Sequence, residues 1–82
     1  MANFMLICEH PAEDCEPISR EQQDLGTPVA IKDRDFFCSC PYGVHNGWVV
    51  VEGDDSESIL ASLPPLFRSH AQVLQIETVR FS

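Results

Sequence analysis

Residues 36–48 read FFCSCPYGVHNGW. Cys38 and Cys40 stand one residue apart, Pro41 follows, and His45 sits between Gly43 and Gly47. Thiolates and imidazoles are the donors that borderline-soft divalent metals take, and a thiol beside an imidazole is also a candidate for redox chemistry. A second reactive group lies upstream in HPAEDC, where four residues separate His10 from Cys15. The C-x-C-x4-H spacing lacks the paired C-x2-C knuckles of a zinc ribbon, so by itself it is a moderately specific metal motif. His10, Cys15, Cys40 and His45 together supply two sulfurs and two imidazoles, a tetrahedral set that suits Zn2+. A three-ligand version would leave a position where water could be activated. Cys38 and Cys40 form the alternative redox pair. A lasting disulfide between them is disfavoured if both lie in an extended strand, where their separation is at the strained end of the bridging range.

Each residue also has a plainer role open to it. Cys8 in NFMLIC reads as a small buried hydrophobe, and Cys38 beside two phenylalanines could equally be core. His45 could hydrogen-bond its own hairpin, and His10 could simply end a strand. His70 reads as a surface residue and Trp48 as packing. Glu52, Asp54 and Asp55 read as solvated or helix-capping charges, not as a catalytic pair.

These side chains need elements to position them. Asn3–Cys8 and Trp48–Glu52 are continuous apolar runs of strand length, the reading for strands buried on both faces. Asp35–Cys40 is a shorter strand candidate. Gln72–Phe81 places Leu74, Ile76 and Thr78 on one side and suits a half-exposed edge strand. A first helix can open at Pro17, use Ile18 and Leu25 on one face, and close at Gly26. Asp54 followed by Glu57 predicts the start of a second helix carrying Ile59, Leu60 and Leu63. Pro64 and Pro65 stop it, and Pro65 opens a short further turn at Leu66 and Phe67. Val29 and Ile31 are candidates to extend the second strand. Gly43 and Gly47 are read as supplying positive φ in the central hairpin.

The resulting order, βαββαβ over residues 1–82, predicts a single α+β domain of ferredoxin-like type with a four-stranded antiparallel sheet. In that topology the first two strands are parallel with the third between them. Cys8, His10, Cys15, Cys38, Cys40 and His45 then gather at one end of the sheet, with His70 outside the group. Two strand spacings, roughly 9–10 Å, separate the two strand ends, so loops must fold over the gap to share an ion. Two short helices cover one sheet face only, and the other would expose a large apolar patch. A homodimer packed through the open sheet face is the expected solution.

At 82 residues the chain has room for one small domain, which often gains stability from a metal, disulfides or a partner subunit. A net charge of −8 repels phosphate backbones and anionic surfaces, so nucleic-acid and membrane partners are not expected. No run approaches the roughly 18 apolar residues of a membrane span. The start MANFMLICEH reads as a first strand, not a signal peptide, so a cytoplasmic location with reduced thiols is expected.

Three stretches carry a resemblance: HPAEDC, CPYGVHNGWVVVE and LPPLFRSHAQVLQIETV. They resemble a group of short, uncharacterised bacterial proteins sharing H-x2-E-x-C and C-x2-G-x-H-x-G-aromatic elements. The matching positions are His10, Glu13 and Cys15, then Cys40, Gly43, His45, Gly47 and Trp48, and the likeness covers most of the chain except Glu16–Arg34. That resemblance implies a dimeric α/β barrel fold, related to small monooxygenases and muconolactone-isomerase-like enzymes, with no established activity to carry over. Cys38 is an addition to the pattern, and Pro17 interrupts the first helix. Four readings stay open: a zinc-binding dimer, an enzyme of that fold type acting on a small-molecule ligand with His45 or His10 as acid–base group, a thiol redox or interaction module, and a purely structural or partner-binding dimer in which the cysteines only pack.

Overall fold

The computed structural model describes all 82 residues. The elements in chain order are β1 (Ala2–Glu9), α1 (Ala12–Leu25), β2 (Phe36–Cys38), a 3-10 turn (Cys40–Tyr42), β3 (Asn46–Gly53), α2 (Ser56–Ala61), α3 (Pro65–Ser69) and β4 (Ala71–Ile76). The strands form one open sheet in the order β2-β3-β1-β4. Every neighbouring pair is antiparallel. The chain is therefore α+β, with a four-stranded antiparallel sheet.

Register decides which side chains the helices cover. Leu6 stands opposite Val49 and Val73, and Phe4 opposite Val51. Paired residues share a face, so these join Phe36, which pairs with Val49, on one side of the sheet. Phe4, Leu6, Val49 and Val51 are buried there against Ile18 of α1, Ile59 of α2, Leu63 of the α2–α3 connection and Phe67 of α3, with Ile31 of the α1–β2 connection. The opposite face carries Met5, Ile7, Phe37, Trp48, Val50, Leu74 and Ile76, with no element over it; Phe37 is 63% exposed and Leu74 46%.

Several expectations shift. α1 begins at Ala12, not at Pro17, which lies inside it. Glu13 and Asp14 in the first turn favour the helix N-terminus electrostatically, and Pro17 costs the helix the one bond its N–H would have made to Glu13 O. Cys15 is consequently a helix residue, not a loop one. Leu25 is 67% exposed, which leaves Ile18 as the buried anchor, and Gly26 ends the helix at φ +88° as expected. Asp55, not Asp54, caps α2, accepting from Ser58 N at 2.7 Å. β2 stops at Cys38, so Cys40 belongs to a turn; Val29 and Ile31 do not extend the strand. β4 ends at Ile76, earlier than its alternating pattern suggests. Of the two hairpin glycines only Gly43 has positive φ.

α3 is five residues long and opens on two prolines that offer no capping side chain. Its exposed N–H groups are met from across the fold: Glu21 of α1 accepts from Leu66 N at 2.9 Å and from Phe67 N at 3.0 Å. Glu21→Ala should lower unfolding free energy by about 1–2 kcal/mol in urea melts. A neutral substitution would mean that water replaces the carboxylate at no cost.

Candidate metal centre

One row of the sheet explains where the site forms. Cys38 of β2 pairs with Gly47 of β3, and Gly47 pairs with Cys8 of β1. The central position of this row has no side chain. A Cβ there would run into the Phe36 ring, which leans over the glycine from the neighbouring strand. Gly47 is thus required for close approach, and its missing side chain leaves space between two thiols. A cavity of about 100 Å³ occupies that space, lined by all four cysteines, His10 and Phe67 among others.

The remaining donors arrive from above the row. His10 follows the end of β1, and its backbone N–H donates to His45 O at 3.1 Å, which ties the two loops together. Cys15, in the first turns of α1, is carried across the end of the sheet. Cys40 comes from the 3-10 turn, fixed where Ser39 N donates to Asn46 O (3.0 Å), Tyr42 N to Ser39 O (2.9 Å) and Gly43 N to Cys40 O (3.2 Å). Ser39 Oγ donates to Val44 O, closing the same loop from its side chain. Gly43 at φ +91° provides the left-handed residue this loop needs.

The outcome is that His10, Cys15, Cys40 and His45 offer donor atoms that all lie within 4.8 Å of one another. His10 Nε2 is 3.5 Å from Cys40 Sγ. Two ligands with bonds of about 2.3 Å (sulfur) and 2.0 Å (nitrogen) at a tetrahedral angle lie about 3.5 Å apart, so that edge already has ligand spacing. His10 and His45 meet edge to face with ring centroids 5.7 Å apart. His45 Nδ1 is buried and has no hydrogen-bond partner, an uncommon condition for an enclosed polar atom. Cys38 lines the same cavity as Cys40 but is outside the group of four.

Electrostatics favours neutral donors until a cation arrives. Burial lowers the His10 pKa, reinforced by the charges of His45 and His70, so the imidazole keeps a free lone pair. Burial pushes the Cys8 thiol up to about 11, helped by Cys15 and Cys38. Desolvation raises Cys40 to about 12, with hydrogen bonds to Cys38 and Cys15 adding to it. A metal bound through Cys40 must displace that proton, so higher pH favours the bound state. Apparent affinity should strengthen by at least about tenfold per unit between roughly pH 6.5 and 8.5, read by chelator competition. A flat profile would remove Cys40 from the ligand set.

Two features at this end of the sheet escaped the sequence reading. Cys8 is core, as expected, yet its Sγ also lies 3.6 Å from His10 Nδ1 and orients that ring. His70, expected to be a separate surface residue, is half-buried, and its Nε2 lies 3.0 Å from Asp14 Oδ2 on α1. The signal was topological: β4 is antiparallel to β1, so the start of β4 must lie beside the end of β1, and Glu9 N indeed donates to His70 O. Glu13 is exposed on α1 and takes no part in the cluster. Comparison with protein-family models, curated proteins and solved structures gave no match to this chain.

Proposed function

We propose that this protein is a small metal-binding protein, with zinc as the resident ion held by His10, Cys15, Cys40 and His45. The observation that carries the reading is the convergence of these four donors within 4.8 Å from two stretches of chain thirty residues apart. The mixed sulfur–nitrogen set favours zinc over harder cations, which prefer oxygen. The His10 Nδ1 contact with Cys8 supports Nε2 as the ligating atom, as ring nitrogens opposite a metal commonly find a partner. An ion would also give buried His45 a role that no protein group fills. Elemental mass spectrometry of untagged protein purified without chelators should find about one zinc per chain. No zinc, even after it is offered and the excess removed, would end this reading.

The strand order and antiparallel pairing favour a ferredoxin-like domain, and the uncovered face favours a homodimer of the dimeric α/β barrel type. Sedimentation equilibrium should then return twice the chain mass, and Val50→Glu with Leu74→Glu should return it to one. Four reduced thiols fit a cytoplasmic setting. A second reading, a small-molecule enzyme, is favoured by one observation: a groove of about 390 Å³ between α1 and β2, lined by Ser19, Gln22, Thr27, Phe36 and Cys38 among others. Native mass spectrometry that retained an organic ligand would favour it.

A further inference from the structure

The proposed ligand set leaves one thiol of the cavity unused. Cys38 ends β2 and is exposed, whereas Cys15 and Cys40 are half-buried and Cys8 is buried. It stands where the small cavity meets the surface groove, since Ser19, Gln22, Phe36 and Cys38 line both. A reagent arriving through that groove meets Cys38 before any of the four donors. Cys40 lines the same small cavity, with its sulfur 3.5 Å from His10 Nε2.

The backbone between them also matters. Ser39 has φ −100° and ψ 2°, so the chain turns sharply instead of continuing the strand. That conformation brings the Cys38 and Cys40 Cα atoms to about 5.5 Å, inside the range a disulfide spans, where an extended strand would hold them near its limit. The early end of β2 therefore converts an unfavourable pair into a bridgeable one.

We propose that Cys38 is an oxidation site for hydroperoxides and that its bridging to Cys40 releases the metal. This rests on the zinc reading above, because Cys40 is there a ligand and Cys38 is not. The Cys38 sulfur attacks one peroxide oxygen, the O–O bond breaks, and water leaves, so that a sulfenic acid forms. The Cys40 sulfur then gives up its bond to the metal and attacks the Cys38 sulfur. The S–O bond breaks, and the departing hydroxide takes one proton from solvent to become a second water. Each sulfur has lost one electron, the two peroxide oxygens have gained two, and the ion is left with three protein donors. Thiol reductant reverses the bridge and restores the fourth.

The test loads wild-type protein and Cys38→Ser with zinc, adds hydrogen peroxide, and follows release with a chromophoric chelator. Wild type should release about one zinc per chain, and Cys38→Ser, with equal loading, should release it at least about tenfold more slowly. Trypsin cuts after Arg20, Arg34 and Arg68, so Cys38 and Cys40 share the fragment 35–68 while Cys8 and Cys15 lie in 1–20. The fragment 35–68 should lose two hydrogens and regain them with dithiothreitol. Equal release rates in the two proteins, or a cross-link joining 35–68 to 1–20, would overturn the assignment while zinc binding stands. A wild type that takes up no zinc would overturn the zinc reading itself.

Discussion

His10→Ala should lose metal affinity by at least about a hundredfold, more than the loss usual for residues that merely support a ligand. The ring touches three other side chains at this end of the sheet. Nε2 faces Cys40 at 3.5 Å, Nδ1 faces Cys8 at 3.6 Å, and the ring packs on His45. Removing it deletes one donor and the orientation of the others together. The effect on stability follows by mass action, because an ion that binds only the folded chain contributes about 4 kcal/mol when its concentration is about a thousand times Kd. For a domain of this size such a contribution raises Tm by roughly 15–30 °C. Wild type should show this rise when zinc is added, and His10→Ala almost none. His70→Ala serves as the control: its ring pairs with Asp14 outside the four donors, so the zinc-dependent rise should persist. A full rise in His10→Ala would mean that the ion sits elsewhere.

Phe67→Ala should be the most destabilising single truncation in the metal-free protein. Phe67 is among the largest fully buried side chains and meets the Phe36 ring edge to face with centroids 6.5 Å apart. Truncations of this kind cost about 3–5 kcal/mol through lost transfer energy and the void left behind. A domain of 82 residues has a total stability of about 4–12 kcal/mol, so this one change can consume most of it. The ring also lines the cavity beside the cysteines, so its loss enlarges that space and loosens the support of Phe36 over Gly47. Urea unfolding measures the cost. A value below about 1 kcal/mol would mean that neighbouring side chains collapse into the space with little penalty.

Much of this was legible in the sequence, for identifiable reasons. The apolar runs of β1 and β3 and the Pro64–Pro65 break marked central strands and the α2–α3 boundary, because a missing N–H and continuous β-branched residues leave few options. The four donors were legible from residue type once the strand order placed two strand ends together. The extent of α1 was not, since Pro17 signals a helix start locally and only the placement of Ile18 in the core shows that the helix runs through it. The end of β2 was hidden too. DFFCSC carries no turn residue before Pro41 and reads as a short strand to Cys40, whereas the decision at Ser39 belongs to bonds made with Val44 and Asn46 after the hairpin has closed. Gly47 looked like a turn residue because conformational freedom is the usual reason for glycine, whereas here a ring from the next strand excludes any side chain. His70 was missed because the reading followed residue spacing, while its position comes from strand direction.

The central place of β1 has a consequence in time. It is the first strand along these residues, yet its partners are residues 46–53 on one edge and 71–76 on the other. Neither edge can be satisfied until most of the chain exists, so contacts distant in sequence must form together and folding is slow to start. His10 and Cys15 therefore precede their partners in the cluster, Cys40 and His45, by thirty residues of chain. The cluster at this end of the sheet is thus among the last features of the fold to assemble, because its two halves wait for the strands that join them.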